Sequence, residues 1–207
     1  MNGGAAIAPP WDILLIGGAS GIGKSRVAAE LAEESKAFVV EFDDVVGAVQ
    51  AITTAEGHPG LHRFDGLDVS RLSPERVLDE QIATAEALDP ALLGVVRNRL
   101  TVDVPAVIEG DYLTPAAAAL AMREGAAAGR EVRAVFLHEG DPRRITANYA
   151  CREPGSGDQS ARAEVSAAYS HWLARQAALR ALPVVDSRPW TTLTRRIRQA
   201  LREGLPV

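Results

Sequence analysis

Cysteine, lysine and long apolar runs are all scarce in this chain of 207 residues. A single cysteine, Cys151, rules out an internal disulfide framework and suits a reducing compartment; nothing around it marks it as catalytic. No basic stripe is present and the net charge is −5, so nucleic acid is not expected as the main partner. The alanine-rich stretch Pro115 to Ala128 is interrupted by Arg123 and Glu124, too short and too charged to span a bilayer. Met1 to Pro10 has neither a basic segment nor a long apolar one, which reads as a short disordered lead-in without a signal peptide. A cytoplasmic protein without a membrane partner is the expectation. Internal repeats and low-complexity segments are also missing, and the length fits one α/β domain over 1–207.

Only two of the 22 basic residues are lysines, and one of them is Lys24. It stands in Gly18-Ala19-Ser20-Gly21-Ile22-Gly23-Lys24-Ser25, between the apolar run Ile13 to Ile16 and the helical pattern that begins at Arg26. This is the G-x-x-x-x-G-K-S spacing of a phosphate-binding P-loop in its strand-to-helix setting. Glycines at 18, 21 and 23 let the backbone of the loop, Ser20 and Ile22 included, turn its N–H groups toward phosphates, and the following helix adds its positive end. Lys24 reaches the β and γ phosphates, and the Ser25 hydroxyl ligates Mg²⁺.

Gly17, Gly21 and Gly23 also resemble the glycine turn of short-chain dehydrogenases, but the Tyr-x-x-x-Lys of that family is missing. Tyr112, Tyr149 and Tyr169 are followed four residues on by Ala116, Glu153 and Leu173. A guanine-reading Asn-Lys-x-Asp cannot occur either, with lysine only at 24 and 36, which removes a GTP-driven switch.

Five apolar segments read as buried strands: Ile13 to Ile16, Ala37 to Phe42, Ala106 to Ile108, Val132 to Leu137 and Pro183 to Val185. Helical patterns lie between them, so a parallel sheet covered on both faces is expected. Ser73-Pro74 starts one long helix with apolar positions at Val77, Leu78, Ile82, Ala85 and Leu88, and Leu193, Ile197 and Leu201 stripe a C-terminal helix. The irregular segment Gly57 to Leu72 is expected over the carboxyl ends of the strands. Glu153 to Asp158 breaks a helical region, giving two helices with a flexible tip that could close as a lid over about 141–180.

Carboxylates fall at the strand ends. Asp43 and Asp44 follow the second strand, where one of them can accept the proton of an attacking hydroxyl, or else cap a helix beginning near Val45. Glu109 ends the third strand, able to hold the Mg²⁺ shell or orient an acceptor, with Asp111 the next candidate and Tyr112 beside it. On the lid, Arg144 and Arg152 can neutralise a transferring phosphoryl group, with Arg143, Asn148 and Tyr149 nearby. His58, His62 and Arg63 are candidates for acceptor binding, with Arg97 and Arg99 behind them, although no spacing supports a zinc site. Arg188 lies in the loop after the last strand, where adenine commonly sits; Trp172 and Trp190 read as helix packing.

Taken in chain order, the P-loop, the Asp-Asp, the Glu-Gly at 109–110 and the arginine-bearing lid resemble the small P-loop kinases of the adenylate-kinase-like group. Gly17 to Ser25 is similar to the P-loops of 2-phosphoglycerate and uridine kinases, while chloramphenicol phosphotransferase and gluconate kinase are similar in size and plan. The resemblance implies a three-layer sandwich with strand order 2-3-1-4-5, MgATP as donor and transfer to a small-molecule hydroxyl. Glu109 to Leu113 departs from the nucleoside-monophosphate signature, which favours a metabolite or an antibiotic, handled by a monomer or homodimer. The alternative is a regulatory or assembly ATPase, distinguished by hydrolysis without any acceptor.

Overall fold

Short runs of aliphatic residues bounded by turn residues become strands, and the amphipathic stretches between them become the helices that cover the sheet. In the computed structural model, which describes residues 9–203, the strands are β1 (Ile13–Gly17), β2 (Phe38–Glu41), β3 (Ala106–Gly110), β4 (Val132–His138) and β5 (Val184–Asp186). All pair in parallel in the order β2-β3-β1-β4-β5, the order the resemblance implied. The expected lead-in before Pro9 lies outside the described residues.

The helices are α1 (Lys24–Ser35), α2 (Phe42–Ile52), α3 (Pro74–Ala87), α4 (Asp89–Leu100), α5 (Pro115–Ala127), α6 (Pro142–Arg152), α7 (Ser160–Ala178) and α8 (Leu193–Glu203). Side chains alternate across β1, so Ile13 and Leu15 join a cluster with Leu88, Leu92, Phe136 and Tyr169 on one face. Leu14 and Ile16 join Val27, Val135, Tyr149 and Ile197 on the other. Each face is thus sealed by helices, as a parallel sheet requires. Among the described residues no helix is long and apolar enough to cross a membrane.

The register aligns Gly17 with Gly110 and Glu41 with Glu109, which brings the carboxyl ends of β1, β2 and β3 to one rim. Three boundaries differ from the sequence expectation. The single helix expected from Ser73 is two, because Pro90 cannot donate its backbone N–H and the chain turns at the fully buried Leu88. β2 ends at Glu41 and α2 starts at Phe42, which puts Asp43 and Asp44 inside the first helical turn, where the helix dipole favours negative charge. Finally, β2 is an edge strand and not a buried one, with Phe38 57% and Val39 43% exposed.

Candidate active site

At the rim, the chain leaves β1 through Gly18, Gly21 and Gly23, whose φ values are 150°, 76° and 96°. Gly21 shows why this conformation and this residue go together. Besides its positive φ, a Cβ there would fall 2.7 Å from the Tyr149 ring. Tyr149 is fully buried, and its hydroxyl hydrogen-bonds Ser166 on α7 at 2.8 Å. Ser166 in turn donates to the Ser20 carbonyl (3.3 Å), and Asn148 Nδ2 donates to the Gly21 carbonyl (2.7 Å). The last turns of α6 and the first turns of α7 are therefore fastened to the phosphate loop, while the connection between them, 153–159, is largely exposed.

A cleft of about 560 Å³ opens over this loop. Its floor is Ser20, Gly21, Gly23, Lys24 and Ser25; Asp43, Glu109 and Asp111 form one wall and Asn148, Cys151, Arg152 and Arg162 another, with Trp190 at the end. Asn148, Cys151 and Arg152 share a face of α6 because they are spaced i, i+3 and i+4.

Lys24 organises the charges. Its ammonium is buried and donates to the Asp111 carboxylate and, at 2.9 Å, to the Ala19 carbonyl. Burial alone would lower its pKa, but Asp111, Glu109 and Asp43 around it outweigh that and raise it, so the lysine stays charged. Asp43 faces the cleft, yet its carboxyl is desolvated and lies close to Asp111. Its pKa is pushed up to about 6 against the opposing pull of Lys24. Asp43 Oδ1 also accepts a hydrogen bond from the Asp111 backbone N–H (3.2 Å). Burial likewise raises Glu109, while the charge of Lys24 and a hydrogen bond with Ser25 oppose the rise.

That proximity makes Ser25 and Glu109 a fitting pair for Mg²⁺, which keeps several waters and takes few protein ligands. Among the described residues, no group of three or more His, Cys, Asp and Glu could hold a metal without such help.

Several expected residues lie elsewhere. Asp44 is exposed, as Asp43 is, but unlike Asp43 it does not line the cleft. Arg144 sits about 12 Å along α6 from Arg152, paired with Glu139 (3.6 Å) and Asp141 (3.5 Å). The segment 57–72 is drawn away from the rim by Leu61, which is buried against the core and whose carbonyl accepts from Gln50 at 2.7 Å. His62 is consequently held by Thr53 (2.9 Å) and Asp65 (2.8 Å), and Arg63 by Glu80 (3.0 Å). His58 lines a separate cavity of about 450 Å³ beside Leu88 and Pro90. Tyr112 is half-buried next to Asp111, and burial pushes its pKa up to about 12. Ile22 is a core residue, contributing only its backbone to the loop.

Arg188 acts through others: its guanidinium stacks 3.7 Å over Trp190 and donates to Asn148 Oδ1 at 2.7 Å. Trp190 packs, as expected, against the cluster of Val27, Leu193 and Ile197 and also ends the cleft beside Gly23; Trp172 packs too, stacked on Tyr169 at 5.6 Å. Arg26, Cys151, Arg162 and Trp190 are the lining residues that sequence reasoning did not assign to the site. Arg162 could have been suspected from its place at the start of the second lid helix.

A family model described as AAA domain matches residues 13–175. No curated protein matches the sequence. Among solved structures, a gluconokinase from Sinorhizobium meliloti 1021 is similar over 95% of this chain and 94% of its own, with 19% identity and a TM-score of 0.56. A shikimate kinase from Acinetobacter baumannii is similar over 94% and 92%, with 10% identity and a TM-score of 0.52. At these identities the likeness is one of fold.

Proposed function

The chain belongs to the AAA domain family, and from that premise we propose that it is an ATP-dependent phosphotransferase acting on a hydroxyl of a small molecule. The observation that carries this reading is the meeting of Lys24, Asp43 and Glu109 at the mouth of one glycine loop. MgATP, when bound, supplies the phosphoryl group and the metal's charge neutralisation. Ser25 and Glu109 would hold the ion's shell. Lys24, Arg152 and Arg162 would neutralise phosphate oxygens in a cleft that limits competing water.

Asp43 is the base. As the acceptor oxygen bonds to the γ phosphorus and the bond to the β-phosphate oxygen breaks, the hydroxyl proton passes to the Asp43 carboxylate and ADP leaves. A pKa of about 6 keeps Asp43 ionised at neutral pH yet basic enough to accept a proton.

Incubation with γ-labelled MgATP and a panel of sugars, glycerates, nucleosides and hydroxyl-bearing antibiotics tests this. Label on one compound, absent with Lys24→Ala, supports the kinase. Label released only as free phosphate, at a rate that no compound changes, would replace it with the ATPase reading.

A further inference from the structure

On the wall that Asp43, Glu109 and Asp111 form, which faces the acceptor in the proposed reaction, no arginine stands beside them among the described residues that line the cleft. Between Phe42 and Leu100, the stretch that carries α2, α3 and α4, the sequence holds five arginines and no lysine. Each is engaged elsewhere. Arg63 and Arg76 both pair with the buried Glu80, Arg71 with Asp68 (3.0 Å) and Arg97 with Glu124 (2.7 Å), while Arg99 lies 5.6 Å from the Phe38 ring centre. None of the five lines the cleft.

The two arginines that do face it from the lid belong to the phosphate side. Arg152 and Arg162 lie 5.4 and 4.1 Å over the ring of Tyr149, the residue seated against Gly21, and both pair with Glu153.

Arg26, which also lines the cleft, sits on the helix that follows the phosphate loop and pairs with Glu30 (3.0 Å), so among the described lining residues Lys24 is the cation left beside the carboxylates, and it cannot serve two partners. An ammonium that reaches the β and γ phosphates gives up Asp111, whose side chain is 20% exposed and lies beside Asp43. Asp43 is committed to the proton of the reacting hydroxyl. Asp111 is then a carboxylate that lines the cleft with its lysine withdrawn, its oxygens open to hydrogen-bond donors.

We infer that the acceptor is a molecule rich in hydroxyl or amino groups and free of acid groups, a sugar or amino sugar in chemical type, and that Asp111 accepts its non-reacting N–H or O–H donors. This rests on the phosphotransferase reading. It sets the chain apart from what the names gluconokinase and shikimate kinase denote, since gluconate and shikimate are acids. A carboxylate or phosphate on the acceptor would meet the side chains of Asp43 and Asp111, which offer it no donor once Lys24 has turned to the nucleotide. The nucleotide comes first, because its phosphates draw Lys24 away and free Asp111.

The test compares D-glucose, D-glucosamine and chloramphenicol with D-gluconate, D-glycerate and shikimate as acceptors of labelled phosphate, for the wild-type chain and Asp111→Asn. A non-hydrolysable MgATP analogue serves for separate binding measurements. Transfer to a member of the first set is expected, with KM for that acceptor raised about 10- to 100-fold in Asp111→Asn, the range for losing hydrogen bonds to a charged group. The analogue should bind Asp111→Asn more tightly than wild type, since Lys24 loses its competing partner. Preferential transfer to the acids, transfer to none of the six, or weaker analogue binding by Asp111→Asn would each overturn the inference. Failure of the wild-type chain to bind the analogue at all would instead remove the phosphotransferase reading beneath it.

Discussion

Asp43 carries opposite demands of folding and chemistry. Its pKa is about 6 against an ordinary 3.8, so folding favours the protonated form. The folded state then holds a proton over roughly pH 4 to 6 that the unfolded chain releases, and stability falls as pH rises through that window. The proposed mechanism needs the ionised carboxylate, so kcat/KM should rise with pH, reach half its plateau near pH 6 and level off above about 7. Asp43→Asn should remove turnover, raise the melting temperature at neutral pH and flatten its dependence on pH, though Asp89, also raised to about 6 by burial, leaves a residual slope. A melting temperature unchanged by the substitution would show that the carboxyl is solvated. Lys24→Ala tests the other sign. Without the ammonium, Asp111, Glu109 and Asp43 repel one another, and transfer should fall about a thousandfold while circular dichroism still reports a folded chain.

The geometry between elements makes these residues a site, and Gly110 shows how closely β3 and α2 approach. A Cβ on Gly110 would lie 2.9 Å from Phe42 Cβ and 3.1 Å from Asp43 Oδ1. Gly110→Ala must push the first turn of α2 away from the rim, at about 1 to 3 kcal/mol of stability, and displace the base. Since a misplacement near 1 Å can cost about a hundredfold, kcat should drop far more than MgATP affinity; equal losses would mean that the loop, not Asp43, had moved. The sequence announced the P-loop because its chemistry is written in eight consecutive residues, and the carboxylates at strand ends were legible because an apolar run delivers them there. Choosing Asp43 over Asp44 needed the helix start at Phe42. Arg162 enters through packing against Tyr149 on the neighbouring helix and Trp190 through its approach to Gly23, contacts between separate elements that no local spacing encodes. His58, His62 and Arg63 read as acceptor-binding because the stretch is polar and irregular; in the structure Leu61 is buried against the core and none of the three lines the cleft.

Over the whole molecule, the cleft joins parts of the chain that are far apart in sequence: the phosphate loop, the rim of β3, the α6–α7 arm and the segment after β5 at Trp190. A nucleotide filling it contacts both ends of the fold and binds only the folded chain, so its binding free energy adds to stability. At a hundred times its dissociation constant this amounts to about 2.7 kcal/mol. For a chain of this size that is a rise in melting temperature of roughly 5 to 11 °C. MgATP should produce this rise, and Lys24→Ala should lose most of it. ATP with EDTA should give a smaller shift than MgATP, because Ser25 and Glu109 then lack the ion that links them to the phosphates and Glu109 stays set against their charge. Equal shifts with and without the metal would take Ser25 and Glu109 out of its shell and leave Lys24 as the main phosphate contact.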